Sequence, residues 1–243
     1  MNRHTSSTLR RFAAARFAAE GAAGLHLTVG VAVLVMSAWL FGIIAAQVTA
    51  SGPVTLVDLQ VAHWLHARAT PGVTRIVLWF TNWNSVAGVL AMSVLLGYAL
   101  LRRRLDYWLL GLVIAVPGGV AVNVLMKLAF GRARPVFEQP LVTLDTFSFP
   151  SGHASGATLF YGFLACLLAS RVRTPGRRAA IGVAAAAMVA AVCFSRLYLG
   201  AHYLSDVLAG IAEGLAWLAI CMTAVSTLRR RREGRGLPLW RTT

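Results

Sequence analysis

His202 and Asp206 stand four residues apart in the stretch SRLYLGAHYLSD, Ser195 to Asp206. At helical spacing the two share a face. The carboxylate can then accept a hydrogen bond from one ring nitrogen, fix the tautomer and stabilise the protonated imidazole, which leaves the other nitrogen as a nucleophile. A second histidine, His153, closes FPSGH (Phe149 to His153), which reads as a helix start: Ser151 can cap it, and Gly152 lets backbone approach a ligand. A third stretch, KLAFGRARP (Lys127 to Pro135), brings three cations, Lys127, Arg132 and Arg134, and Arg196 adds a fourth.

Arginine forks suit phosphate oxygens, and so do the free amides of a helix N-terminus. These residue types in one place describe phosphoryl transfer. His202 attacks phosphorus, Asp206 orients it, and His153 protonates the leaving oxygen. The cations stabilise the transferring group. No metal and no cofactor is expected, because Asp58, Glu138 and Asp145 form no pair spaced for magnesium or zinc.

The elements that must hold these residues are membrane helices. Of 243 residues 58 % are hydrophobic and only 13 % charged, against about a quarter charged in soluble domains. The apolar residues fall in runs long enough to span a bilayer. Six spans are predicted, at about 25–50, Trp83–Leu101, Tyr107–Ala129, Ala154–Ser170, Ala179–Ser195 and Leu204–Leu228. The first run is too long for the core of a signal peptide. Between spans 1 and 2, VTLVDLQVAHWLHARATPGV is amphipathic and reads as one short interfacial helix, with Trp64, Trp79 and Trp83 at interfacial depth. Its His63 and His66 are assigned to a solvated face. Asn123 and Glu213, inside apolar runs, are assigned to helix packing through hydrogen bonds.

The expected fold is therefore all-α, a polytopic bundle of six transmembrane helices. Residues 1–23 form a cytoplasmic segment, 24–228 the six-span domain and 229–243 a basic cytoplasmic tail. The net charge of +15 is distributed as topology requires. Seventeen basic residues fall on one side, in the N-terminal segment, at Arg102–Arg104, in the turn from Arg171 to Arg178, and from Arg229 onward; six fall on the other. The excess marks the cytoplasm, which puts both termini inside and all three polar stretches on the outer face. No basic helix or aromatic-basic platform offers a nucleic-acid surface. The three cysteines lie in apolar runs and suggest neither a disulfide framework nor a zinc site.

Lys127, six residues, Arg134-Pro135; then Pro150-Ser151-Gly152-His153; then Ser195-Arg196, five residues, His202, three residues, Asp206: this order resembles the three-part signature of the type 2 phosphatidic acid phosphatase superfamily. The resemblance implies a phosphohistidine at His202 oriented by Asp206, with His153 as the acid. It implies that Lys127, Arg134, Ser151, Gly152 and Arg196 hold the phosphate. Arg132 lies outside the signature.

The expected activity is hydrolysis of a membrane lipid phosphate or diphosphate at the outer face of a bacterial inner membrane. Undecaprenyl diphosphate is favoured, because four cations exceed what one monoester phosphate needs. Phosphatidylglycerophosphate, phosphatidate and lipid A phosphates are the alternatives. A lipid phosphotransferase differs only in the acceptor. An anion transporter would need polar groups threading the bilayer, whereas here they gather at one end.

Overall fold

In the computed structural model, residues 25–234 are described, and they form eight helices. These are α1 (Leu25–Thr49), α2 (Pro53–His66), α3 (Pro71–Trp83), α4 (Val86–Arg102), α5 (Asp106–Phe130), α6 (Gly152–Ala169), α7 (Pro175–Tyr198) and α8 (Leu204–Gly234). Five of them, α1, α5, α6, α7 and α8, are each long and apolar enough to cross a membrane. A sixth span is counted when α3 and α4, which meet at a 48° bend, are taken together. The predicted N-terminal segment and most of the basic tail lie outside the described residues, and α8 runs past the expected boundary at 228.

The single interfacial helix expected between spans 1 and 2 is two helices. Proline has no N–H to give and is tolerated in the first turn of a helix. Pro53 and Pro71 therefore open α2 and α3, and the chain breaks at Ala67–Thr70 between them. The polar face expected to meet water is in part turned inward: Asp58 on α2 is 1 % exposed, and α2 packs on α7 and α8.

Helix α6 is the centre of the bundle. It packs on α5, α7 and α8, and Ala154, Ala157, Leu159 and Phe163 are fully buried. Around it the outer helices present large apolar side chains, among them Val94 and Leu95 at 71 % and Val183 at 70 % exposed. That surface suits hydrocarbon as solvent. Helices α6 and α8 cross closely over Gly210 and Gly214. A Cβ at Gly210 would stand 2.5 Å from the Ser151 carbonyl oxygen, and one at Gly214 would stand 3.0 Å from that of Ser155. Small residues four apart permit this approach in membranes. The approach also carries chemistry, because Ser151 N donates to Asp206 O at 2.9 Å and ties the start of α6 to the start of α8.

Candidate active site

The C-terminal end of α5, the loop after it, the start of α6, the end of α7 and the start of α8 meet at one end of the bundle. They enclose a cavity of about 230 Å³. Of the residues predicted for the site, Lys127, Arg134, Gly152, His153, Arg196 and His202 line it. Ser151 and Asp206 are fully buried behind the wall. Ser151 Oγ accepts from Ala154 N at 3.5 Å as the N-cap of α6. The amides of Gly152 and His153, the first two helical residues, have no acceptor within the helix, and both residues line the cavity. A Cβ on Gly152 would meet Asn123 Oδ1 at 3.0 Å.

His202 and Asp206 do come together, but not as two residues on one helix face. His202 sits in the turn before α8, after Gly200, whose φ of +63° reverses the chain. Asp206, in the first turn of α8, reaches back to the Tyr203 amide at 2.8 Å, as an acidic residue at a helix start does. His202 Nδ1 is 3.5 Å from Asp206 Oδ2. Ser148 Oγ fills the gap, 3.3 Å from Nδ1 and 2.5 Å from Oδ2. On the other side of the ring, Arg134 Nη1 lies 3.2 Å from Nε2. A guanidinium cannot accept, so Nε2 accepts and the ring proton is on Nδ1, directed at Ser148 and Asp206.

Burial lowers the His202 imidazole to about 4, outweighing the pull of Asp206. The ring is neutral through the neutral pH range. Because the folded value lies below the ordinary 6.5, protonating His202 works against the folded state as pH falls from 6.5. The His202 Cε1–H resonance in micelles, identified by its absence in a His202→Gln variant, should titrate near pH 4. A midpoint near 6.5 would contradict the buried, uncharged assignment.

The cations divide into two kinds. Arg134 directs its five donors to Thr146 O, Thr146 Oγ1, Phe147 O, Ala201 O and His202 Nε2. Burial holds it below its ordinary value, partly offset by Asp206. Lys127 Nζ donates to Phe147 O. Arg196, 4 % exposed, donates from Nη1 to Thr81 Oγ1 at 2.9 Å, while its buried Nε has no partner. Arg132 is the exception. It does not line the cavity; Nη1 contacts Asp206 Oδ1 at 2.6 Å and Nη2 contacts Asp58 Oδ2 at 2.8 Å. Burial opposes its charge, yet Asp206 and Asp58 together hold it above the ordinary arginine value. Of the four cations expected to face a phosphate, three line the cavity, and two carboxylates engage the fourth, Arg132.

Ser148, Thr81 and Asp58 were not singled out from sequence as site residues. Nothing in their local sequence marks them; each becomes significant only through a partner distant along the chain. Glu213 and Asn123 pack as expected, with Asn123 Nδ2 donating to Glu213 Oε2 at 2.8 Å. His66 does not lie on a solvated face but stacks on Phe137, with ring centroids 4.0 Å apart.

A cationic, histidine-bearing cavity at one end of a membrane helix bundle defines the class. Residues 106–230 match the PAP2 superfamily. The chain belongs to that superfamily, and it is an enzyme of the lipid phosphatase class. It is 26 % identical over 199 residues to phosphatidylglycerophosphatase B of Bacillus subtilis, covering 82 % of this chain and 98 % of that one. It is 32 % identical over 189 residues to a probable lipid phosphate phosphatase beta of Arabidopsis thaliana, covering 68 % and 86 %. The crystal structure of a transmembrane PAP2-type phosphatidylglycerolphosphate phosphatase from Bacillus subtilis shares the fold, with a TM-score of 0.67 at 24 % identity, over 86 % of this chain and 98 % of that one.

Proposed function

We propose that this protein removes phosphate from a membrane lipid phosphomonoester by two in-line transfers through a phosphohistidine at His202, without a metal. The observation that carries this reading is that His202 Nε2, His153 and three cations face one cavity. An arriving phosphate draws Arg134 from Nε2 onto its own oxygens and uncovers the lone pair. Arg196, Lys127 and the amides of Gly152 and His153 complete the cradle. As Nε2 bonds to phosphorus, the ring gains positive charge, which Asp206 balances through Nδ1–H and Ser148. The phosphorus–oxygen bond to the lipid alcohol breaks and His153, which enters the step as the imidazolium once the phosphate's negative charge offsets the surrounding cations, gives that oxygen its proton. Water, deprotonated by His153, then attacks the phosphohistidine and releases phosphate.

The far wall of the cavity is apolar, with Val86, Val120, Val124 and Leu144. Val86, Val124 and Leu144 are also exposed at the molecular surface. A lipid can leave its tails there with the phosphate among the cations. With Arg132 engaged elsewhere, the charge argument for undecaprenyl diphosphate loses one of its four cations, and a monoester dianion fits the remaining three. The phosphatidylglycerophosphatase relative supports the same class.

The test is phosphate release by purified protein, in excess EDTA, from phosphatidylglycerophosphate, phosphatidate, undecaprenyl diphosphate and lipid A at matched surface concentration. A monoester glycerophospholipid should lead. If the diphosphate leads in kcat/KM by about tenfold, or 1.4 kcal/mol, the monoester assignment is wrong. No activity until a divalent ion is added would remove the metal-independent mechanism.

The charge distribution supports a site on the outer face of a bacterial inner membrane, with both termini in the cytoplasm. In a cysteine-free background, a cysteine in the Arg171–Arg178 turn should resist an impermeant thiol reagent in intact cells, and one at Glu138 should react. The opposite pattern would place the site in the cytoplasm.

A further inference from the structure

Arg132 poses an electrostatic problem for the mechanism. Its Nη1 lies 2.6 Å from Asp206 Oδ1, on the carboxylate that must balance the charge developing on His202. A guanidinium in that contact, 14 % exposed, would cancel most of the negative charge the imidazole needs. Asp58 removes the conflict. Its Oδ2 takes Arg132 Nη2 at 2.8 Å and Ser205 Oγ, and its Oδ1 takes the Ser205 amide at 2.8 Å. Ser205 Oγ in turn accepts from Arg132 Nη1 at 2.7 Å, and the Arg132 guanidinium lies over the Tyr203 ring at 4.4 Å. Asp58 and Arg132 cancel each other, and Asp206 keeps a net charge for His202.

We propose that Asp58, on the interfacial helix α2, is a positioning residue of the catalytic centre: it neutralises Arg132, so that Arg132 fixes the Asp206 carboxylate by hydrogen bonding without spending its charge. The proposal rests on the phosphohistidine reading. The groups facing the network are Arg132 and the loop after α5, Tyr203, Ser205 and Asp206 at the start of α8, and Asp58 from α2. Asp58 touches neither substrate nor His202. Its effect is on the chemical step, whereas phosphate is held by other cations.

The rival role for Asp58 is to fasten α2 to the bundle, and the two roles give different results. Asp58→Asn keeps the shape and the acceptor for the Ser205 amide but leaves Arg132 unbalanced. With dioctanoyl phosphatidate in mixed micelles, kcat should fall about ten- to a hundredfold, the usual cost of losing a group that orients a catalytic one. The inhibition constant for inorganic phosphate should stay within about twofold or tighten, since net positive charge has been added near the site. The double variant Asp58→Asn, Arg132→Gln removes both charges and should recover kcat by at least about threefold over Asp58→Asn, a non-additivity expected only of coupled charges. A fastening role predicts a double variant no better than the single one, since it loses a further contact. Asp58→Asn within about threefold of the parent kcat, or a double variant no faster than Asp58→Asn for any reason including misfolding, overturns the proposal. His202→Ala and Asp206→Asn are run alongside: their retaining activity would overturn the phosphohistidine reading itself, whereas their loss with Asp58→Asn unaffected would overturn this proposal alone.

Discussion

His202→Ala should lose at least about a thousandfold in kcat, or about 4 kcal/mol of transition-state stabilisation, while the protein still inserts and folds. The ring is 2 % exposed, and its Nε2 is turned toward the cavity with Arg134 as its partner. Among the side chains that line the cavity His153 is the nearest in kind, and the proposed mechanism assigns it to the leaving oxygen. Asp206 and Ser148 are built around Nδ1, so truncation also leaves an Asp206 carboxylate without the group it serves. The measurement is a rapid-quench trap of phosphoenzyme together with steady-state release. A variant that keeps more than a few per cent of the parent rate, or that still traps acid-labile phosphoenzyme, would remove His202 from the nucleophilic role.

His153→Ala should be the second largest effect, and its size should depend on the substrate. General acid catalysis contributes about a hundred- to ten-thousandfold, all of it at the leaving oxygen in the first step. A lipid alkoxide is a poor leaving group and needs that proton. A nitrophenolate leaves without it. The loss on phosphatidate should therefore exceed the loss on 4-nitrophenyl phosphate by about tenfold or more, provided that phosphoenzyme formation limits both. His153 is the second residue of α6 and lines the cavity, whereas Ser151, immediately before the helix, is fully buried as its cap. That arrangement puts an imidazole rather than a hydroxyl on the cavity wall. Equal losses on the two substrates would mean that His153 holds the phosphate and does not protonate the leaving group.

The membrane character of the chain, most of its spans and the converging polar stretches were legible because each is local. An apolar run of twenty residues has one low-energy solution in hydrocarbon, a helix with every backbone group paired inside it. The three signature stretches stand at helix ends, so counting crossings between them was enough to bring Lys127, Arg134, His153, Arg196 and His202 to one face. Glu213 was legible for a similar reason: a carboxyl inside an apolar run requires a hydrogen-bonding partner.

What the amino-acid order could not convey is the partner of each polar group when that partner comes from elsewhere in the chain. A charge count around the phosphate treated Arg132 as a cation free to bind; only the packing of α2 onto the start of α8 brings Asp58 to it and takes it away from the substrate. The spacing of His202 and Asp206 suggested one helix face, but the left-handed turn at Gly200 puts His202 ahead of the helix and lets Ser148, from the loop before α6, sit between them. Sequence alone thus determined which groups must gather at one end of the bundle, because hydropathy and helical period are properties of contiguous residues. The tertiary structure decided which of those groups are free to meet a phosphate, because hydrogen bonds and ion pairs among buried side chains depend on distances that no local pattern encodes.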